Sequence, residues 1–266
     1  MRMLGDITEA LTSRLRRYGQ HIRSIPDNAR CKSLSQNYRF ADDYRRIYFY
    51  HIRKTAGTSL CAAFFRLAAP DGEEAMSILA QRGGRIVLGD KVYVGWNRYL
   101  IERGEYFFGF SHFPAHRLHI PPATFTVTCL RDPIRRIISY FKNTKYYEKH
   151  YPDQKDLLRL DVSSLSNFVA SLPKKDLLRQ LYMFSKTFSV TEAADRISSC
   201  SYYFFTEEYG DSLNALAGKL SMPLQASHEN QLPVDVDIDE CEVKQLRERM
   251  EPEYQLVEQL QSCTEV

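Results

Sequence analysis

Four short runs of apolar, β-branched and aromatic residues stand out along the chain: RIYFYHI (46–52), YFFGFSHF (106–113), ATFTVTCL (123–130) and CSYYFFT (200–206). They are nearly continuous rather than alternating, as strands buried on both faces of a parallel sheet must be. Apolar residues at helical spacing between and after them predict helices over 58–69, 133–147, 164–172, 175–184, 208–220 and 240–261. One open, mostly parallel α/β sheet covered on both faces follows. Upstream, Ile7, Leu11, Leu15, Tyr18 and Ile22 recur at helical spacing among Arg14, Arg16, Arg17 and Arg23. This basic amphipathic helix packs on its own domain or lies against a membrane surface or partner. Pro26 breaks the pattern, and the stretch to residue 44 reads as an irregular linker. The expected division is therefore 1–44, a basic helix and linker, and 45–266, the main domain.

Composition narrows the possibilities. A chain of 266 residues with 44% hydrophobic residues can bury a full core, and a net charge of +3 gives no bulk attraction for nucleic acid. The charge is uneven: basic through Arg46, and acidic from Asp235 onward, where Asp237, Asp239, Glu240, Glu242 and Glu251 follow as solvated surface. Six cysteines, three of them in apolar runs, form no CxxC pair, so neither a zinc site nor a disulfide framework is expected. No apolar run reaches the ~18 residues that span a bilayer, and no signal-peptide core is visible, so a cytoplasmic location is expected.

In such a sheet ligands gather beyond the carboxyl ends of the strands. After the first strand, HIRKTAGTSL (51–60) places Lys54, Thr55, Ala56, Gly57, Thr58 and Ser59 where a helix begins. Unpaired N–H groups of that first turn suit a phosphate-like anion, with Gly57 allowing close approach, Lys54 adding charge and the hydroxyls adding donors. The lysine precedes the glycine, unlike GxxxxGK[ST], which argues against ATP-dependent kinase chemistry. After the third run comes LRDPIRRIISYF: Asp132 suits an N-cap and Pro133 the first helical position, with Ile134, Ile137, Ile138 and Phe141 on the buried face. Arg131 can fork onto a phosphate, and Ser139 shares a side of the helix with Arg135 and Asp132. Two such sites at neighbouring strand ends imply a ligand with two separated anionic groups.

These two motifs carry a resemblance. HIRKTAGTS resembles the HIPKTAGTS-type 5′-phosphosulfate loop, and LRDPIRRIISY the LRDPxxRxxSxY-type 3′-phosphate element, of the sulfotransferase family that includes heparan sulfate 2-O-sulfotransferases and many bacterial relatives. The resemblance covers roughly 45–260, more weakly through GFSHFP and FFTEEYGDSLNAL. It implies a P-loop-NTPase-like three-layer fold and a soluble enzyme that uses PAPS (3′-phosphoadenosine 5′-phosphosulfate) and releases PAP. It further implies in-line transfer to a hydroxyl on a carbohydrate or glycoconjugate. Lys54 to Ser59 would bind the phosphosulfate, Arg131 and Ser139 the 3′-phosphate. Arg53 stands where the family usually has proline; it joins the cofactor-binding set or faces an acidic acceptor. A lipid, polyketide or other small alcohol is the alternative acceptor, and a non-catalytic PAPS- or PAP-binding regulatory module the alternative of another class.

Sulfuryl transfer needs a base for the hydroxyl proton and a cation for charge on the leaving group. His112, at a strand end, resembles the family's base, and Lys54 is the stabilising cation. His112, His116 and His119 have helical spacing, but Pro114 and the pair Pro121-Pro122 argue against a metal-binding helix. His51 reads as a structural or loop-ordering residue, and His228 as a further site candidate. Lys142, Lys145, Lys149, His150 and the tyrosines among them either border an acceptor cleft or form a solvated helix face.

Overall fold

The computed structural model describes residues 25–150, 160–226 and 240–262, so the expected helix over 7–22 and His228 lie outside the described residues. The strands are β1 (Arg46–Tyr50), β2 (Arg85–Leu88), β3 (Lys91–Gly95), β4 (Phe108–Ser111), β5 (Thr124–Leu130) and β6 (Tyr202–Phe205). They form one sheet in the order β2-β3-β4-β1-β5-β6. Every neighbouring pair is parallel except the β2–β3 hairpin at the edge. The four predicted runs are thus β4, β1, β5 and β6, four adjacent parallel strands of the sheet. The hairpin was not predicted, although Gly89 and Asp90 between RIVL and KVYV form a two-residue turn, with Gly89 at φ +59.

Helices follow in chain order: α1 (Ile25–Asn37), α2 (Gly57–Phe65), α3 (Gly72–Gln81), α4 (Arg98–Arg103), α5 (Pro133–His150), α6 (Leu165–Ser171), α7 (Lys174–Leu177), α8 (Arg179–Phe184), α9 (Val190–Ser198), α10 (Tyr209–Leu220), α11 (Glu240–Arg249) and α12 (Glu251–Ser262). One face of the sheet buries Tyr48 and Tyr50 against Ile137, Phe141, Phe168, Leu181, Ile197 and Leu256, from α5, α6, α8, α9 and α12. The other buries Ile47 and Phe49 against Leu60, Phe64, Leu79 and Leu213, from α2, α3 and α10. This is the three-layer α/β architecture that the continuous apolar strands demand.

Three expectations need correction. The stretch read as irregular linker contains α1, which puts Cys31 at zero exposure in the core. Tyr38, just past that helix, donates from its hydroxyl to the Asp90 carbonyl (2.8 Å) and accepts from the Val92 amide (3.0 Å), tying it to β3. The predicted helix over 175–184 divides at Leu178, whose backbone is non-helical, and that over 240–261 divides at Met250, just before Glu251-Pro252. Helices α3, α4 and α9 were not predicted; each starts at a side-chain cap, from Asp71, Asn97 and Ser189 respectively. Among the described residues no helix is long and apolar enough to cross a membrane.

Candidate active site

The carboxyl ends of β4, β1 and β5 lie side by side, so the segments that follow them meet at one edge of the sheet. After β1 the chain makes a tight turn with left-handed backbone at Lys54 (φ +70) and Ala56 (φ +55), and Ala56 serves as N-cap of α2. Turns of this kind let successive N–H groups converge on an anion, and the first turn of α2 adds donors without intrahelical acceptors. Thr55 is fully buried and donates inward to the Ile52 carbonyl at 3.0 Å, so its hydroxyl fixes the loop. Ser59 is buried, Thr58 half-buried and Arg53 exposed.

Gly57 has a packing reason in addition to its sequence reading. A Cβ there would lie 2.0 Å from the His51 ring, so the missing side chain accommodates imidazole. His51 stacks on Phe49, with ring centroids 5.1 Å apart, and its Nδ1 is buried without a partner. Burial, then His112, Arg53 and Lys54, hold its pKa well below the usual value, so it is a neutral wall of the loop.

The two anion motifs are joined directly. Lys54 Nζ donates to Asn143 Oδ1 at 2.8 Å, and Arg131 Nη1 donates to the Lys54 carbonyl at 3.3 Å. Asn143 follows Ser139 by four residues on α5, which puts both on one helix face. Ser139 is half-buried, and Asp132 caps α5 as expected, accepting from the Arg135 amide at 2.8 Å. Burial, followed by Arg131, lowers the Lys54 pKa to about 8. Burial also lowers that of Arg131, whose Nε is enclosed without a hydrogen-bond partner. A buried guanidinium N–H without an acceptor is costly unless a ligand supplies one.

Residues that sequence reasoning missed hold Arg131 in place. The Gln180 side chain accepts from the Arg131 amide (2.8 Å) and donates to its carbonyl (2.9 Å). Glu253, at zero exposure, in turn accepts from the Gln180 amide (2.7 Å), the Leu181 amide (3.3 Å) and Gln180 Nε2 (3.2 Å), and lies 3.6 Å from Arg136 Nη2. Arg136, also buried, donates to the Asp176 and Leu177 carbonyls. One carboxylate of the acidic tail is therefore internal.

His112 closes the other side. Its Nδ1 lies 2.7 Å from the His51 carbonyl oxygen, which can only accept, so the proton sits on Nδ1 and Nε2 keeps its lone pair. Burial, against the His51 hydrogen bond and with help from Arg53 and Arg179, lowers its pKa to about 4. Arg179 Nη2 donates to the His112 carbonyl at 3.3 Å, and its own Nε is buried without a partner. Arg53 thus bears on His112 and Arg179, whereas Lys54 faces Arg131 and Asn143. His116 belongs to a single 3-10 turn, Ala115–Arg117, so the three histidines share no helix.

A separate cleft of 320 Å³ lies beyond Asp132, lined by Arg135, Glu207, Tyr254 and Glu258 among others. Three carboxylates against one guanidinium give it the wrong sign for phosphate. The positive charge lies instead at the edge where Lys54 and Arg131 meet, with His112 at the same end of the sheet. Residues 36–177, which span both anion motifs and His112, match the model of the Sulfotransferase family. No curated protein matches the chain significantly.

Proposed function

Since the chain belongs to the sulfotransferase family and is a sulfotransferase, we propose that PAPS is its donor and a hydroxyl of a carbohydrate or glycoconjugate its acceptor. The observation that carries this reading is the link Asn143–Lys54–Arg131. It sets two phosphate-grade cations at adjacent strand ends, beside a buried guanidinium N–H that lacks an acceptor. A molecule with a phosphosulfate at one end and a 3′-phosphate at the other fits that pair of sites. A nucleotide phosphorylated only at the 5′ position would leave Arg131 unanswered.

In this reading the α2 N-terminus, Lys54, Thr58 and Ser59 hold the 5′-phosphosulfate, and Arg131 with Ser139 holds the 3′-phosphate. PAPS supplies the activated sulfuryl group. His112 Nε2 accepts the proton of the acceptor hydroxyl as its oxygen bonds to sulfur, and Lys54 keeps positive charge beside the oxygen that departs with PAP. The hydrogen bond to the His51 carbonyl holds His112 in the one tautomer able to do this. Arg53 is exposed and its charge acts on His51, His112 and Arg179, so it meets either the cofactor or an acidic acceptor.

Thermal unfolding with PAP, AMP and ATP at equal concentration tests the proposal. PAP at about a hundred times its Kd adds about 2.7 kcal/mol and raises the midpoint by roughly 5 to 10 °C. The expected shift is specific to PAP and absent in Arg131→Ala; an equal shift with ATP, or none with PAP, removes the donor assignment.

A further inference from the structure

Trp96 has no part in the chemistry above, yet its placement is unusual in three independent ways. It is the chain's single tryptophan, and its indole is 40% exposed. Its backbone is left-handed, φ +52, a conformation that bulky residues rarely adopt. And it directly follows β3, at the same carboxyl edge as His112.

The local bonding explains how the residue is held. Gly95 pairs in register with Phe110, and the Trp96 amide donates to the Phe110 carbonyl at 3.2 Å, two residues before His112. Asn97 then caps α4, accepting from the Leu100 amide at 3.2 Å, and donates from its own amide to the Gly83 carbonyl at 3.1 Å. The indole meets Phe110 edge-on, with ring centroids 4.9 Å apart at 76°. Phe110 lies 6.3 Å from His51, and His51 lies 4.3 Å from His112. A continuous run of rings thus leads from the base to an indole with surface left open to solvent. Strain of this kind persists only where the surroundings enforce it, and it collects at ligand sites.

We propose that Trp96 is the platform on which a six-membered ring of the acceptor stacks while its hydroxyl is presented to His112. The proposal rests on the sulfotransferase reading of the site. The shared chemistry of the occupant is a ring with an apolar face, either a pyranose presenting C–H groups or an aromatic alcohol presenting its π-face. A straight-chain alcohol offers no such face and gains nothing from the indole.

Because no other tryptophan is present, emission excited at the red edge of indole absorption, where tyrosine does not absorb, reports Trp96 alone. The PAP-loaded protein is titrated with methyl β-D-glucopyranoside, 4-methylphenol and 1-hexanol. The expected result is a saturable change in emission with a ring probe and none with 1-hexanol; the responding probe identifies the sugar or the aromatic source. Trp96→Gly removes the indole while relieving the backbone, since glycine adopts positive φ freely. It is expected to weaken binding of the responding ring probe about tenfold, read by calorimetry, with the PAP-induced thermal shift unchanged. Trp96→Phe restores most of the loss. Silent emission with both rings, an equal response to 1-hexanol, or unaltered ring binding in Trp96→Gly overturns the platform. If PAP itself fails to bind, the donor reading fails first and by a different measurement.

Discussion

Lys54 and Arg131 are both half-buried cations at the ends of adjacent strands, but they are held in opposite ways. Lys54 sits on a left-handed turn, and its ammonium makes one hydrogen bond, to Asn143. Arg131 is held through its backbone, both polar groups of which are bound by the Gln180 side-chain amide, which in turn donates to Glu253. A lysine is a point charge on a flexible stem, whereas an arginine presents a rigid fork. Under the proposed function the contrast suits a donor whose 3′-phosphate stays still through the reaction while charge moves at its phosphosulfate end, with Arg131 as the anchor and Lys54 as the adjustable cation.

The sharpest way to break this contrast is Glu253→Ala. It strands Arg136 and the Gln180 donors in the interior, and removal of one partner from a buried charged pair costs about 3 to 5 kcal/mol. For a chain of this size that lowers the melting midpoint by roughly 10 °C. The surviving folded protein should bind PAP more weakly, with KM for the donor rising more than kcat falls, because Arg131 is loosened while His112 is untouched. Glu253→Gln keeps an acceptor for the Gln180 amide and should recover about half of the stability. Unaltered stability in Glu253→Ala, measured by denaturant unfolding, would show that Arg131 is no better held than Lys54.

Acidity separates the two cations next. The Lys54 pKa of about 8 and the His112 pKa of about 4 bound a plateau in kcat/KM for the donor, which reports the free enzyme. Above pH 8 the lysine loses its charge and kcat/KM falls about tenfold per unit, while Arg131 stays charged throughout. Stability moves differently. Both folded values lie below the unfolded ones, so the unfolded chain binds more protons between about pH 4 and 6.5 for His112, and between about 8 and 10.5 for Lys54. In both windows these groups make the fold more stable as pH rises. Lys54→Met should therefore remove the alkaline limb from the residual kcat/KM and weaken PAP binding while raising the melting midpoint slightly. An alkaline limb that persists in Lys54→Met assigns it to another group.

How much of this was legible in the sequence follows from where each signal lies. Parallel strands buried on both faces announce themselves as apolar runs, so β1, β4, β5 and β6 were found, with Lys54, His112 and Arg131 at or just beyond their ends. The β2–β3 hairpin was missed because its apolar runs, IVL and VYV, are shorter than those of the other strands, although its Gly-Asp turn was readable. Asn143 was also readable, one helical turn beyond Ser139. Glu253 was not, because a carboxylate in an acidic tail looks solvated until tertiary structure sets it against Arg136 and Gln180. The packing reason for Gly57 was likewise hidden, since nothing local shows the His51 ring in its Cβ position. Helix α1 has a weak apolar pattern and owes its place to Cys31 and to the Tyr38 hydroxyl on β3.

The smallest expected effect sharpens the comparison most. Asn143→Ala removes one hydrogen bond, worth about 0.5 to 1.5 kcal/mol, so PAP affinity should fall about threefold to tenfold. Arg131→Ala, by contrast, should eliminate the PAP shift altogether. Asn143→Asp separates orientation from charge: the new carboxylate keeps an acceptor for Lys54 and raises its pKa, but repels the anionic ligand. It should move the alkaline limb of kcat/KM upward while weakening PAP more than Asn143→Ala does. If Asn143→Ala alters neither the Kd of PAP nor the alkaline limb, the turn alone orients Lys54. The bond to α5 would then be what the ammonium makes while waiting for an anion, and the difference between a movable and an anchored cation would be wider than the hydrogen bonds imply.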